Sequence, residues 1–408
     1  MTARPLSVID LFAGCGGLSE GFEASPRYKV AAYVEWEKSP CRTLANRLRN
    51  KWGSNNPESR IVRFDIQKTD ELLWGWSNCP EYGSGKGLVS TVGRNQVDMI
   101  IGGPPCQAYS VAGRIRDEFG MQRDYRNYLF ESYLQVVRHY QPKLIVMENV
   151  TGMLSAAPGG VPVVERIATA FDDAGYEILT DLRQTTVDMT QYGIPQRRKR
   201  VVIVGLSRKA IPEHRQSALA DFYGTVLPGF NKPLQTVNDA IGHLPPLYPK
   251  TPGKLINGRK YSHEPQETGI ANHVPRYHNL RDIDIFRELA RDAKSKRPRY
   301  NSAEDLQKLY TARTGKSSSV HKYYVLRSNE PANTIPAHLY KDGLRHIHPD
   351  PRQARSITVR EAAALQSFPD DFEFLGSMGD QYKMIGNAVP PGFSHSLAIA
   401  LADLFYKL

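Results

Sequence analysis

The sequence predicts an α/β protein: a mostly parallel, Rossmann-like sheet with helices on its faces, beside a second, smaller, irregular domain. Three observations carry that expectation. Apolar runs of strand length recur at 6–12, 29–34, 61–64, 97–101, 143–147 and 201–206, with helix-length stretches between many of them. Glycine-rich turns follow the run at 6–12 and the run at 97–101, where strand–turn–helix units need them. The alternation then fades from 207 to 350, where prolines and glycines are frequent, and returns near the end. The expected organisation is a first domain over 1–206, a second over 207–350, and a segment over 351–408 that returns to the first.

Composition narrows the function. With 408 residues, 40% hydrophobic and 23% charged, the chain can bury a large core like an ordinary globular protein. A formal net charge of +11 suggests a polyanionic partner, nucleic acid first. The charge is concentrated: residues 251–350 hold 18 Lys and Arg against 11 Asp and Glu, with seven of the eleven histidines. Cys15, Cys41, Cys79 and Cys106 are far apart and form no CxxC pair, which argues against a metal site or a disulfide framework and for a reducing compartment. No apolar run approaches the ~20 residues that span a bilayer, and no signal-type segment opens the chain. The expectation is a soluble, cytoplasmic protein that does not bind membranes.

Leu6 to Phe12 reads as a strand, Ala13-Gly14-Cys15-Gly16-Gly17 as a tight turn, and Leu18 to Ala24 as the start of a helix. Such a unit brings backbone close to a nucleotide-like ligand, although the spacing is not that of GxGxxG. Lys29 to Val34 is a second strand, ending in Glu35-Trp36. An acidic residue ~20 positions after the glycine turn is placed for ribose hydroxyls, and an indole beside it for adenine. Asp65 ends a third strand after Ile61-Val62-Arg63-Phe64, and Ser39 to Asn50 is helical. Together these residues point to a cofactor containing adenosine. Residues 75–96, rich in Gly, Ser and Asn, read as a surface insertion, and their Gly83-Ser84-Gly85-Lys86-Gly87 lacks the spacing of a phosphate loop.

The stretch Gly102-Gly103-Pro104-Pro105-Cys106-Gln107-Ala108-Tyr109-Ser110 organises the rest. Its glycines and prolines end the strand Val97 to Ile101 and force a turn. Cys106 then sits where strand ends of α/β folds open onto ligands, a candidate nucleophile if its thiolate is favoured. Lone cysteines are more often buried and inert, so its neighbours decide. Arg114, Arg116, Arg123 and Arg126 follow in a polar stretch suited to closing over a substrate. Asn127 to Tyr140 is an amphipathic helix, and Lys143 to Met147 a strand leading to Glu148-Asn149-Val150. Val161 to Ala174 reads as a helix and Tyr176 to Arg183 as a strand. The basic run Arg197-Arg198-Lys199-Arg200 enters the strand Val201 to Leu206 and suggests phosphate contact, with Arg198 and Arg200 on one face.

Between 207 and 350 only 281–294 and 302–313 look helical. The stretches 294–300 and 317–324 mix cations, hydroxyls and aromatics, as a DNA surface does, and Arg297, Arg299 and Lys322 are the candidate contacts. Thr358 with Glu361 three residues on is a capping-box start, and Pro390-Pro391 opens a last helix over Gly392 to Tyr406.

Six stretches in order make the chain resemble the DNA (cytosine-5)-methyltransferases of the bacterial type. They are Asp10-Leu11-Phe12-Ala13-Gly14-Cys15-Gly16-Gly17, Gly103-Pro104-Pro105-Cys106-Gln107, Glu148-Asn149-Val150, Gln196-Arg197-Arg198-Lys199-Arg200, Arg360-Glu361-Ala362-Ala363 and Gly386-Asn387-Ala388-Val389-Pro390. Pro104 is a variant that the family permits. The resemblance implies an S-adenosylmethionine-dependent methyltransferase fold over 1–206, with a target-recognition domain over 207–350. It implies S-adenosyl-L-methionine as methyl donor and S-adenosyl-L-homocysteine as product. Phe12, Ala13, Gly14, Gly16 and Gly17 would cradle the donor and Glu35 its ribose. Trp36, Asp65 and Ile66 would hold adenine, with further contacts from Pro104, Leu129, Asn387, Ala388 and Val389.

The resemblance also implies a route. The Cys106 thiolate attacks carbon 6 of cytosine and makes carbon 5 nucleophilic. Glu148, if protonated or sharing a proton, hydrogen-bonds ring N3, Arg198 holds the oxygen at position 2, and Arg200 orders the site. The base must leave the duplex to be reached, with Gln107 and Ser110 near the vacated space or backbone. The implied partner is double-stranded DNA bound by a monomer in the bacterial cytoplasm, with a restriction endonuclease as functional partner. Three rivals are weaker. An RNA cytosine methyltransferase would lack a large recognition domain, a silent DNA-binding protein would not need Cys106, Glu148 and Arg198, and a nicotinamide oxidoreductase has no use for Pro104-Pro105-Cys106-Gln107.

Overall fold

The first apolar run forms strand β1 (Leu6–Leu11), all six residues of which are buried, as a parallel strand covered on both faces requires. The computed structural model describes residues 4–93, 96–105, 129–256, 259–264, 269–318, 323–341 and 343–408. The chain divides into two compact units: Met1–Gly193, Arg198–Pro233 and Ala388–Leu408 in one, Ile194–Arg197 and Leu234–Asn387 in the other.

In the first unit β1 is followed by α1 (Glu20–Glu23), β2 (Tyr28–Glu35), α2 (Lys38–Asn50), β3 (Ile61–Arg63) and α3 (Thr69–Trp74). A hairpin of β4 (Trp76–Cys79) and β5 (Gly83–Gly85) and the short α4 (Gly87–Val92) precede β6 (Met99–Gly102). Then come α5 (Leu129–Tyr140), β7 (Leu144–Val150), α6 (Val163–Asp173), β8 (Tyr176–Glu177), β9 (Thr186–Asp188) and β10 (Lys199–Ser207). The sheet order is β3-β2-β1-β6-β7-β10-β8, with β9 also on β10. Strands β3 to β7 in that order are parallel, while β10 runs antiparallel to β7, β8 and β9. The chain therefore winds outward from β1 in one direction and from β6 in the other. Such a reversal opens a crevice beyond the carboxyl ends of the two strands, where α/β sheets bind ligands.

Helix α5 buries Leu129, Phe130, Tyr133, Leu134, Val136 and Val137 along one face. Its Tyr133 hydroxyl reaches the carbonyls of Ile100 (3.0 Å) and Val146 (3.1 Å), tying the helix to β6 and β7. At the far end of the chain the last helix, α13 (Pro391–Lys407), packs on α1. A side chain at Gly21 would put its Cβ 2.3 Å from the backbone carbon of Ser394, so the two helices meet at backbone distance.

The structure corrects several expectations. Residues 75–96 are not simply a surface insertion: Leu88 and Val92 are buried in the core, and Trp76 stacks on Phe64 with centroids 4.0 Å apart. The strand expected over Tyr176–Arg183 stops at Glu177, and further on the Asp181 side chain accepts the N–H of Arg183 at 3.0 Å and starts a 3₁₀ turn. The unit boundaries also fall away from 206 and 350. Residues 207–233 stay with the first unit because the Tyr223 hydroxyl bonds both Val202 O (2.7 Å) and Val204 N (2.9 Å) of β10. Only 388–408 of the C-terminal segment returns to it, and 351–387 belongs to the second unit.

The second unit holds more regular structure than its sequence suggested. Helices α9 (Leu280–Asp292) and α10 (Ala303–Thr314) are joined by α8 (Val237–Ile241), which follows α7 (Arg215–Asp221) of the first unit, and by the hairpin β11 (Pro249–Ile256) and β12 (Arg259–His263). Beside an apolar core that includes Ile285, Phe286 and Ile347 it buries a polar cluster. Arg355 forks onto both Glu361 oxygens at 2.6 Å with almost no exposure of either side chain. Glu361 also accepts from Thr358 N (2.7 Å) and donates its own N–H to Thr358 Oγ1 (3.1 Å), closing the expected capping box at the start of α11 (Val359–Leu365). Helix α12 (Met378–Asn387) ends the unit. Five histidines lie in this interior: His263, His273, His278, His346 and His348 are all buried, with pKa values lowered by burial. Most of the histidine of 251–350 is therefore a neutral core component and not a binding face. Among the described residues no helix is long and apolar enough to cross a membrane.

Candidate active site

The site grows from the carboxyl ends of β1, β2, β3, β6 and β7. After β1 the backbone turns at once: Phe12 takes φ +58°, rare for an aromatic residue, and Gly14 and Gly16 take +56° and +93°. Ala13 N donates to Val34 O at 3.0 Å and Gly16 N to Ala13 O at 2.9 Å, so the turn is pinned to β2 and to itself. Gly17 needs to be glycine for another reason. A Cβ there would stand 2.6 Å from Val389 O and 2.9 Å from Ala388 Cβ, so its absence lets the C-terminal segment close on the turn.

Glu35 ends β2 and faces the turn. Its Oε2 accepts Gly14 N at 2.9 Å, and its Oε1 accepts Trp36 N (2.9 Å) and Glu37 N (2.8 Å). A carboxylate offers about four acceptor positions, so one remains beyond these three bonds. Burial pushes the Glu35 carboxyl up to about 7 against the pull of those N–H groups. Trp36, next along, is 44% exposed, an indole face open to a planar ligand. Phe64 N donates to Glu35 O at 3.2 Å, which sets Asp65 and the buried Ile66 beside the end of β2. Leu129 is buried at the start of α5. Asn387 closes α12 in the second unit, whereas Ala388 and Val389 belong to the first.

Glu148 lies inside β7, between β6 and β10. Arg200 of β10 donates from Nε to Glu148 Oε1 at 2.9 Å, with side chains only 14% and 12% exposed. Arg198 donates from Nη2 to Ala388 O at 3.0 Å and is fully buried. Burial lowers the pKa of Arg198, the Arg200 charge lowers it further, and Glu148 opposes both. Asn149 reaches back to the Pro104 carbonyl at 3.5 Å. Thus Glu148, Arg200, Arg198, Gly103 and Pro104 form one cluster, and Phe12 to Gly17, Glu35 and Ala388-Val389 another, in the same unit.

The remaining expected residues divide in two. Cys106, Gln107, Ser110 and Lys322 lie outside the described residues. Arg297 and Arg299 are on the second unit, where the Arg299 guanidinium donates to Glu288 at 3.3 Å. The basic run is not the phosphate-facing patch its sequence suggests. Arg197 pairs with Glu330, Lys199 lies 3.6 Å from Asp188, and Arg200 is taken by Glu148. Three of the four cations lie beside an acid of their own, and Arg198 bonds the Ala388 carbonyl. Sequence reasoning missed three residues. Asp10 is buried in β1 with its carboxyl raised to about 7, chiefly by burial. Gly103 stands against Glu148 and Asn149 reaches Pro104, and only their place inside the quoted stretches hinted at it. Cys15 and Cys41 are buried with thiols pushed up to about 12, which suits inert core cysteines.

The chain is similar to known proteins over nearly its whole length. A family described as "C-5 cytosine-specific DNA methylase" matches residues 6–402. The type II methyltransferase M.Bpa9945I of Bacillus paralicheniformis is 33% identical, over 97% of this chain and 98% of its own. The type II methyltransferase M.DdeI of Desulfomicrobium norvegicum is 31% identical, over 99% and 90%. Among solved structures, a prophage-encoded E. coli protein described as a candidate DNA modification methyltransferase superposes with TM-score 0.63 at 22% identity, covering 98% of this chain and 99% of its own. The S. pombe Dnmt2 methyltransferase does so with TM-score 0.56 at 13% identity over the same shares, a likeness of fold alone. The chain belongs to the C-5 cytosine-specific DNA methylases, enzymes that methylate carbon 5 of cytosine in DNA.

Proposed function

We propose that this protein methylates one cytosine within a short duplex sequence, swung out of the helix, by way of a covalent bond to Cys106. The observation that carries the reading is the Arg200–Glu148 pair beside Gly103-Pro104, two residues before Cys106. The residues at the β1 and β2 ends fit S-adenosylmethionine. At Gly14 the turn has open space where a side chain would stand, Glu35 keeps one acceptor position for a ribose hydroxyl, and Trp36 is part-exposed for adenine. Asp65, Ile66, Pro104, Leu129, Asn387, Ala388 and Val389 complete the set. When bound, S-adenosylmethionine supplies an electrophilic methyl group on a sulfonium.

The chain's own residues do the rest. Carbon 5 of cytosine is a poor nucleophile until the Cys106 thiolate adds to carbon 6 and turns the ring into an enamine. Glu148, holding or sharing a proton, hydrogen-bonds N3 and neutralises the charge that develops there. Arg200 fixes the Glu148 carboxylate, and Arg198 holds the oxygen at position 2. Loss of the carbon 5 proton to a base then expels the thiolate and restores the aromatic ring. Flipping the base costs a few kcal/mol, which Gln107 and Ser110 help to offset by filling the space left behind. The second unit reads the target, with Arg297, Arg299 and Lys322 contacting DNA. The type II relatives suggest that it protects cytoplasmic DNA from a cognate endonuclease.

Bisulfite sequencing of DNA from cells that express the protein tests the reading. Methylcytosine should appear in one short motif and vanish with Cys106→Ser. Unmodified DNA in the presence of folded protein would overturn it.

A further inference from the structure

Gly103 stands against Glu148. A Cβ built at Gly103 would lie 3.1 Å from Glu148 Oε2, closer than side-chain carbons normally approach an oxygen. The glycine is not needed for its backbone. Its φ lies outside the left-handed region, and the residue before a proline is already held extended, so alanine would suit the main chain. Space is what the missing side chain provides.

Glu148 has little freedom to yield. Its backbone is inside β7, in register with Val202 of β10 and one residue past Met147, the last that pairs with β6. Its other oxygen is held by Arg200 Nε at 2.9 Å, and Arg200 is itself fixed in β10 between β7 and β9. A methyl at 103 is therefore accommodated only by turning the carboxylate, which loosens the Arg200 bond or tilts the oxygen away from a bound base.

We propose that Gly103 is a positioning residue of the methyl transfer: by having no side chain it leaves Glu148 the room to hold Arg200 with one oxygen while the other faces the loop that leads to Cys106. The proposal rests on the reading that Glu148 meets the target base. Displacement of a few tenths of an ångström at a reacting group lowers turnover without weakening the binding of remote parts of the substrate.

Steady-state kinetics of the full chain with duplex substrate and S-adenosylmethionine test this on four proteins: wild type, Gly103→Ala, Glu148→Asp, and the double variant. Gly103→Ala should lower kcat on the order of tenfold, with KM for both substrates changed by less than about threefold. The shorter aspartate no longer meets the added methyl. The double variant should therefore be no slower than Glu148→Asp alone. Wild-type turnover in Gly103→Ala, or losses that multiply in the double variant, would overturn the proposal. So would failure of both alanine-bearing variants to fold, since the clash would then lie elsewhere than Glu148. If Gly103→Ala alone misfolds and the double variant folds, the steric pairing stands. Glu148→Gln with wild-type kcat would instead sink the assignment of Glu148 itself, a separate failure.

Discussion

Arg200 carries the most exposed wager at the level of single residues. Its guanidinium is nearly buried and its partner is the Glu148 carboxylate. Burial lowers the pKa of Arg200 while the Glu148 carboxylate raises it, so the guanidinium leans on its partner for its charge in that setting. Arg200→Ala should lower kcat on the order of a hundredfold with little change in DNA affinity, because the carboxylate loses its fixed direction. Arg200→Lys should recover part of this, since the charge returns without the planar fork. Single-turnover methylation with tritiated donor separates the chemical step from binding, and equal rates for Arg200→Ala and wild type would refute the role. Glu148 and Arg200 stand out in the sequence because each lies near one end of an apolar run in a telling stretch. Their mutual bond does not, for it depends on β10 running antiparallel beside β7, and a one-dimensional reading does not supply that neighbour. The same blindness explains the basic run: four adjacent cations look like a patch until pairing hands Lys199 to Asp188 and Arg197 to Glu330.

At the level of elements, local rules did well where a motif was complete in sequence. Thr358 and Glu361 form the reciprocal cap that their spacing predicts. Thr358→Ala should cost about 1 kcal/mol as a lost cap, and more because the hydroxyl also meets His273 Nδ1 at 3.1 Å in the buried interior. Chemical denaturation measures this as a fall in midpoint at unchanged slope; an unchanged midpoint would contradict it. Local rules failed where tertiary contacts overrode composition. The stretch 75–96 is full of loop-forming residues, yet Leu88 and Val92 belong to the core and Trp76 covers Phe64. A few large apolar residues spaced through a polar segment were enough to fold it inward, and their hydrophobic contribution was invisible in the average. Tyr176 to Arg183 shows the converse: an apolar run of strand length is cut short after Glu177, and Asp181 starts a turn farther on.

Across the whole molecule, charge and pH behaviour separate. The basic surplus of 251–350 was legible, but the histidines within it are buried and their pKa values lowered, His263, His346 and His348 to about 4 and His278 to about 3. A histidine whose folded pKa is depressed binds protons more readily when unfolded. Its contribution to stability is therefore complete above the unfolded value near 6.5 and lost as pH falls from there toward about 4. Glu361, held low by Arg355 despite its burial, adds a loss in the same direction at more acid pH. Asp10 and Glu35, raised to about 7, gain stability as pH falls and oppose this, but two carboxyls do not outweigh five histidines, so the melting temperature should decline steadily below pH ~6. A melting temperature that rose between pH 6 and 5 would contradict the buried histidine interior.

The central claim is chemical, and one measurement reaches it directly. Duplex oligonucleotides carrying 5-fluorocytosine at the methylated position cannot lose a proton from carbon 5, so a thiolate added to carbon 6 stays attached. Incubation with the protein and S-adenosylmethionine should give a denaturation-resistant complex, and mass spectrometry of its peptides should place the nucleotide on Cys106. Absence of that adduct on a sequence the protein demonstrably methylates, or its appearance on another residue, would contradict the account.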